Sequence, residues 1–553
     1  MSGVLMDKAM KLGRVSASGS FKLFVGRMIS TVLMAVGTII LTMIISEADY
    51  GLYAVALIPA TALLLFQDWG VGSAMVKNCS FYRVNNQEGE LRRTIMSGFT
   101  FALLSGLGLA LLSLLLANLI GSTVFGKPES SFLIMVASVS IFSTAVYNGA
   151  TSIFIGFDRM GLSSLTMIIQ AVAQCVVAPV LVYLGYSALG AVIGFSFASI
   201  IGGISAVVLL YFCILKKLPP VKQDKEVGRL ETLKPMLQYG VPLAISTIVF
   251  GLASQLYSFI MASSIADTAI IGNYRVATNF AILISFFSVP ITTVLFPAFS
   301  KLNPREERSI LKSIYASSVK YSSLFVVPAM LALMVLSDSM IGTIYGDKWL
   351  FAPAYLSFYV LINVFVVIGN LSYVSLLQAV GETKMLMKLN LLCLLIGAPM
   401  AFVLIPVYGI FGLIFVSIFS VIPALIIAVY WTWKHYEAKP DFHSSAGILF
   451  SGLVAAGVAF LLLSVLASAD WLRFVLGLLV FVAVYLFLTP LIGAINVADV
   501  NNLRGMFSSL GVLSKVLDIP LVLVDQVLKF RNGWLGLGKK KVESKEGVEE
   551  KAL

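Results

Sequence analysis

Apolar residues in this chain fall into blocks of roughly twenty, separated by short charged or Gly/Pro-rich breaks, from about residue 24 to residue 494. A block of that length is what an α-helix needs to cross the hydrocarbon layer of a bilayer. Splitting the chain at the breaks predicts fourteen spans, at approximately 24–46, 51–75, 95–118, 131–155, 162–184, 188–214, 236–262, 274–299, 319–337, 353–378, 387–407, 409–432, 446–467 and 471–494. The expected fold is all-α: a polytopic membrane protein with fourteen transmembrane helices.

The same pattern is written twice. "SEADYGLYAVALIPATALLL" (Ser46–Leu65) and "SSIADTAIIGNYRVATNFAIL" (Ser263–Leu283) each run from an acidic turn, through Gly and Tyr close together, into an apolar helix. After the fourth span, Gly156–Gly194 reads turn, helix, "LGYSALGA", helix; after the tenth, Gly381–Phe415 does the same around "LIPVYGIFG". Each carries a proline inside its apolar run (Pro179, Pro399) and a Tyr beside Gly at the next turn. Four shared features in one order predict a duplication into two six-helix bundles. Both start on the same side of the membrane, so they are parallel-related, as in transporters built from two like halves. The expected organisation is an N-terminal segment 1–23, bundles at 24–214 and 236–432 joined by a Pro-Pro linker at 215–235, a helix pair at 433–494, and an amphipathic and charged tail at 495–553.

Composition sharpens the membrane reading. Hydrophobic residues make up 59% of the 553 positions and charged residues only 12%, about half the share usual in soluble domains. Mean hydropathy is +0.97. The net charge of +11 reflects topology rather than a nucleic-acid partner. With the N-terminus in the cytoplasm, 34 of the 38 Lys and Arg residues fall on the cytoplasmic side, leaving only Lys127, Arg275, Lys348 and Arg473 outside. A missed helix would invert every later loop and destroy that asymmetry. Both termini are therefore expected in the cytoplasm and the protein in the plasma or inner membrane. Met1–Phe21 is basic, and the run behind it is long enough to span, so it does not read as a cleavable signal. Cys79, Cys175, Cys213 and Cys393 show no paired spacing and read as small apolar residues. In the tail, Asn501–Phe530 is amphipathic and is expected at the inner membrane surface, ahead of the solvated run Lys539–Leu553.

The segments "EADYGLYAVA", "DWGVGSAMVK" (Asp68–Lys77), "LFPAFSKL" (Leu295–Leu302) and "GETK…LIPVYGIFG" together resemble the Wzx-type polysaccharide and oligosaccharide-lipid flippases. These belong to the multidrug/oligosaccharidyl-lipid/polysaccharide exporter superfamily. The resemblance covers roughly residues 15–495, and its motifs are structural rather than catalytic. It implies a non-enzymatic carrier that moves a polyprenyl-(pyro)phosphate-linked oligosaccharide from the cytoplasmic to the outer leaflet by alternating access. The implied partners are that lipid-linked glycan, membrane lipids, and glycosyltransferases or a polymerase of the same pathway; the expected state is a monomer without a cofactor.

Such a substrate has an anionic (pyro)phosphate, a polar glycan and an apolar tail. Hydrocarbon opposes the first two, so a carrier needs polar, preferably cationic, groups within reach of its spans. Cations near span ends are Arg27, Lys77, Arg275, Lys320 and Lys388. Arg27 and Arg275 stand in the repeat-related helix pairs, and a guanidinium can grip phosphate with two hydrogen bonds; the alternative is that they snorkel to the interface. Uncharged candidates are Gln170 and Gln174 on one face of span 5, Gln255 and Asn279 in spans 7 and 8, and Asn363 and Asn370 on one face of span 10. Amides of this kind bind sugar hydroxyls and equally bridge helices. Asp68, in the "DWG" turn, is a candidate for ion or proton coupling as well as for a helix-end role. His435 and His443 have no ligand cluster around them, and no P-loop is present. The competing readings are a cation-coupled drug exporter of the same fold and a polytopic glycosyltransferase or ligase. The first lacks an acid in span 1 between Arg27 and Glu47, and the second lacks clustered acids on the outer loops.

Overall fold

The computed structural model describes residues 2–218, 229–300, 302, 306–507 and 512–534. Residues 219–228 of the expected linker, Lys301 and the charged run Lys539–Leu553 lie outside the described residues. The described residues form nineteen α-helices in order: α1 (Ser2–Ile44), α2 (Glu47–Leu64), α3 (Val71–Val84), α4 (Glu88–Asn118), α5 (Pro128–Gly156), α6 (Met160–Leu181), α7 (Ser187–Cys213), α8 (Arg229–Ser264), α9 (Thr268–Ala281), α10 (Ser285–Ser300), α11 (Arg308–Tyr345), α12 (Ala352–Tyr359), α13 (Asn370–Ala379), α14 (Thr383–Phe419), α15 (Val421–Tyr436), α16 (Phe442–Val465), α17 (Asp470–Ile492), α18 (Val497–Phe507) and α19 (Val512–Trp534). Among the described residues there is no strand.

Among the described residues ten helical stretches are long and apolar enough to cross a membrane, or eleven if the pair 352–368 and 370–379, bent by 57°, counts as one span. Two of the ten, Met160–Lys217 and Thr383–Tyr436, are 58 and 54 residues long, well beyond a single crossing. Each turns in its middle with the same backbone geometry. Ser187 (φ 45°, ψ −130°) follows Tyr186, and Gly409 (φ 59°, ψ −131°) follows Tyr408. Each turn has a glycine three residues on, Gly190 and Gly412, pressed against the helix that precedes the turn. The two Tyr turns noted in the sequence are therefore the same turn made twice. Gly409 adopts that conformation without penalty, whereas Ser187 holds it under strain. The expected second span is also interrupted. Trp69 (φ 44°) and Gly70 (φ 77°) separate α2 from α3, so 51–75 is a helix, a turn and the start of another helix.

The chain forms two compact units, Met1–Asn279 with Met387–Val421, and Phe280–Leu386 with Ile422–Leu553. In the first, α5 packs against α2, α3, α4 and α7, while α1 lies along α6. Small residues make these approaches close: a methyl on Gly26 would sit 2.4 Å from Ser164, and one on Gly37 2.5 Å from the Cys175 backbone. Val71, Met75, Cys79, Ile95, Phe154 and Met236 fill a core where α3, α4, α5 and α8 meet. In the second unit α11 is central and packs against α10, α12, α16 and α17. Its contacts include Ser318 Oγ to Ser372 Oγ (2.8 Å) and the Tyr485 hydroxyl donating to the Leu324 carbonyl (2.9 Å). Outward side chains in both units are large and apolar, with Leu115 78% exposed in the first and Val465 84% in the second, as lipid-facing surfaces require.

The tail folds back on its own unit. The Lys320 ammonium pairs with Asp499 of α18 at 2.5 Å in a nearly buried site. Arg504 pairs with Asp518 and Asp525 of α19, and Arg531 donates to the Pro490 carbonyl at the end of α17. Leu521, Val524 and Leu528 are buried while Ile519 and Phe530 remain exposed, so α19 is amphipathic as expected and one side of it is packing.

Candidate functional site

The two repeated stretches begin the helices that build the site. Ser46 caps α2: its hydroxyl accepts from the Asp49 amide (3.1 Å) and donates to the Asp49 carboxylate (2.6 Å). Asp267 accepts from the Ala269 amide (2.8 Å) where α9 starts. In both places acids face the positive end of a helix.

These two helices, α2 and α9, touch each other, and the glycine of each repeat is the contact. A methyl on Gly51 would lie 1.7 Å from the Thr268 carbonyl oxygen; one on Gly272 would lie 2.3 Å from the Glu47 carbonyl oxygen. Only hydrogen fits. Around this seam sits a ring of polar groups. The Asn273 amide, fully buried, donates to the Glu47 carboxylate at 2.6 Å. The Asn279 amide donates to the Tyr50 hydroxyl at 2.8 Å, and the Arg275 guanidinium acts on the same hydroxyl. Tyr50 stacks on Tyr53 with ring centres 5.6 Å apart. Arg275 itself is exposed. A guanidinium and an amide one turn apart on α9, with a phenol from α2 against them, can hold an oxyanion and hydrogen-bond to hydroxyl groups.

At the other end of α2 a second glycine pair meets. A methyl on Gly70 would lie 2.2 Å from the Gly240 carbonyl oxygen, and one on Gly240 2.5 Å from the Gly70 backbone. Asp68 shapes this end. Its carboxylate accepts from the Gly72 amide at 2.7 Å and so caps α3. Beside it, buried Gln67 accepts from the Asn148 amide at 3.1 Å. Between the two ends, Thr61 donates to the Gln255 side-chain carbonyl at 3.3 Å.

Of the residues singled out in the sequence, Arg275 and Asn279 come together with Tyr50, and Gln255 joins α8 to α2. Gln170 lies against Gly202 of α7, with Gln174 one turn further along α6. Arg27 is exposed on α1, and among the described residues no hydrogen bond links it to either glutamine. Asn363 and Asn370 do not share a helix face. Residues 360–368 form a 3₁₀ segment, and Gly369 (φ 96°) breaks the helix before α13, so seven-residue spacing no longer brings them to one side. Asn363 donates to the Val360 carbonyl in its own turn. Lys77 stands 4.0 Å over the Tyr239 ring, and Lys320 is taken up by Asp499.

Several polar groups escaped sequence reasoning. Glu47, Tyr50 and Asn273 are visible in the repeat, but their pairing across more than two hundred residues is not. Gln67 and Asn148 are single amides without a pattern. Lys127 stood out only as an outside charge; its ammonium is buried and donates to the carbonyls of Ala262 (2.6 Å), Ile265 (2.8 Å) and Phe125 (3.3 Å), closing the C-terminal end of α8. Among the described residues no three His, Cys, Asp or Glu side chains are grouped as a metal site requires.

Apolar helices of this length and number make the chain a polytopic membrane protein. An inward closed structure of the lipid II flippase MurJ superposes with a TM-score of 0.69 over 84% of this chain and 97% of that one, at 18% identity. An inward-facing multidrug resistance MATE transporter of the MOP superfamily gives 0.59 over 76% and 98%, at 15% identity. The chain belongs to the polysaccharide biosynthesis protein family, whose model matches residues 40–354. Among curated relatives, the probable low-salt glycan biosynthesis flippase Agl15 of Haloferax volcanii is 22% identical over 42% of this chain and 49% of its own. The lipopolysaccharide biosynthesis protein WzxC of Escherichia coli is 28% identical over 29% and 32%. The match thus spans about half the length of the first relative and a third of the second. The Wzx-type resemblance read from the sequence is borne out, and these relatives are named as flippases and biosynthesis proteins rather than as catalysts of a reaction.

Proposed function

We propose that this protein flips a polyprenyl-(pyro)phosphate-linked oligosaccharide from the cytoplasmic to the outer leaflet, as a non-enzymatic carrier in surface polysaccharide or glycoconjugate synthesis. The observation that carries the reading is the family match over residues 40–354, in which both glycine seams and the Arg275 cluster lie. The carrier is placed in the plasma or inner membrane with both termini cytoplasmic, acting as a monomer alongside the glycosyltransferases or polymerase of its pathway. The basic-residue asymmetry supports that orientation. Fourteen spans follow if the two long stretches each cross twice, the bent pair crosses once, and α2 with the start of α3 supplies one more. The matching turns at Ser187 and Gly409 support two parallel-related bundles.

In this reading Gly51–Gly272 closes the outer end of α2 and Gly70–Gly240 the inner end. Arg275 holds the phosphate, while Tyr50 and Asn279 meet sugar hydroxyls as the seam opens. Arg27, Gln170, Gln174, Gln255, Asn363 and Asn370 are further polar positions for the route, and Asp68 is the candidate for ion coupling. Arg275→Ala in reconstituted vesicles tests the site. Loss of a charge-assisted contact worth about 1.5–3 kcal/mol should slow flipping roughly ten- to a hundredfold, with Arg275→Lys intermediate. Unchanged flipping by folded Arg275→Ala protein would remove Arg275 from the site.

A further inference from the structure

A groove of about 570 Å³ opens within the second unit, and no residue of α2 or α9 lines it. Its walls are Phe365 and Ile368 from the 3₁₀ segment, Leu425 and Val429 from α15, and Phe442 at the start of α16. The 3₁₀ segment that lines it ends at Gly369 (φ 96°), where the chain bends by 57°. Tyr430 and Trp433 also line it and are 53% exposed each, at the end of α15 where the chain leaves the apolar block. Aromatic side chains collect at that depth of a bilayer.

Lys439 is the one charged residue of the lining. It is exposed and makes no ion pair among the described residues. Lys434 stands 5.9 Å over the ring of Tyr430, which lines the groove. The two acids that flank Lys439 in sequence are already engaged: Glu437 with Lys312 and Arg308, and Asp441 in capping α16 through the Ser444 amide; Glu382 is the further acid whose field reaches this segment, at Tyr436. An apolar slot therefore ends at a basic mouth.

We infer that this groove binds an anionic phospholipid, one acyl chain lying between the 3₁₀ segment and α15 and the phosphodiester at Lys439. The cavity is of the size that holds a single chain-like ligand. Apart from Lys439, its lining offers only the Tyr430 hydroxyl and Trp433 indole N–H as polar groups, so nothing in it would receive a glycan, which separates it from the proposed carrier route. The orientation proposed above puts the mouth at the cytoplasmic leaflet; the groove itself needs no transport to be tested.

Trp433 is the probe. Protein in mixed micelles is titrated with phosphatidylglycerol or phosphatidylcholine carrying brominated acyl chains, and the Trp433 signal is taken as the difference from Trp433→Phe protein. Brominated phosphatidylglycerol should quench that signal at about fivefold lower mole fraction, the weight of one lysine at an anionic surface. Lys439→Gln should abolish the preference and Lys439→Arg retain it. Val429→Phe, which fills the slot, should weaken quenching by both lipids. Equal quenching by the two lipids, or a preference that survives Lys439→Gln, overturns the inference. So does displacement of brominated phosphatidylglycerol by polyprenyl phosphate but not by unlabelled phosphatidylglycerol, which would assign the groove to the carrier lipid. Unaltered unquenched emission of each variant shows that it is folded.

Discussion

Replacing Gly51 by alanine puts a methyl group where the structure has room only for hydrogen. The added carbon would stand 1.7 Å from the Thr268 carbonyl oxygen, whereas ordinary contact begins at 3.4 Å. The obstacle is helix backbone, which no rotamer change can clear, so α2 and α9 must part. Overpacking of this kind costs about 1–3 kcal/mol. Parting also stretches the 2.6 Å bond between Asn273 and Glu47 and the 2.8 Å bond between Asn279 and Tyr50. A net loss of about 2 kcal/mol shifts the closed-to-open ratio of this seam roughly thirtyfold toward open. Val276, one turn beyond Gly272 and 1% exposed, reports the change. In protein lacking the native cysteines, Val276→Cys should react slowly with an impermeant maleimide. Adding Gly51→Ala should accelerate labelling roughly thirtyfold, and Gly272→Ala should do the same from the other side. If labelling stays within twofold while Gly51→Ala protein is folded, the glycine contact is not a closure and the gate reading fails.

Other outcomes follow from single contacts. Asn273→Ala leaves the Glu47 carboxylate without its amide donor and should open the same seam less strongly, by about 1 kcal/mol once water replaces the bond; the Val276 labelling rate measures it. Lys320→Ala or Asp499→Ala leaves one charge unpaired in a site only about 10% exposed. Each should cost about 3–5 kcal/mol in thermal unfolding, and Lys320→Met with Asp499→Leu should recover most of it. Burial holds the Lys127 ammonium below the lysine value of 10.5. In the pH window between its lowered value and 10.5 the unfolded chain keeps a proton that the folded one has released, so stability rises with pH there. Lys127→Met should remove that slope and lower Tm by freeing the α8 carbonyls. Ser187→Gly should relieve backbone strain of about 1 kcal/mol and raise Tm, whereas Gly409→Ser should lower it.

The membrane character was legible because it rests on composition and block length, which need no partner. The two acidic turns were legible for the same reason: capping is local, and Ser46 with Asp49, or Asp267 with Ala269, sit within a few residues of each other. The repeat marked Gly51 and Gly272 as equivalent. That they press on each other is a tertiary fact, because nothing in the period of α2 or α9 says which helix lies opposite. The Asn363–Asn370 reading failed on a local rule applied across a break: a period of 3.6 holds only where the helix continues, and Gly369 ends it. Lys320 read as a free cation because its acid, Asp499, stands 179 positions away. Lys127 read as topology because a buried ammonium capping a distant helix leaves the same mark in sequence as one in water.

The measurement that bears most directly on the whole account is leaflet accessibility of a fluorescent polyprenyl-phosphate oligosaccharide in vesicles containing the purified protein. With carrier present, a membrane-impermeant quencher added outside should reach label that began on the inner leaflet, at a rate that rises with protein per vesicle and falls with Arg275→Ala. Crossing no faster than in empty vesicles, by protein shown to be folded, would contradict the reading of this chain as a glycolipid flippase.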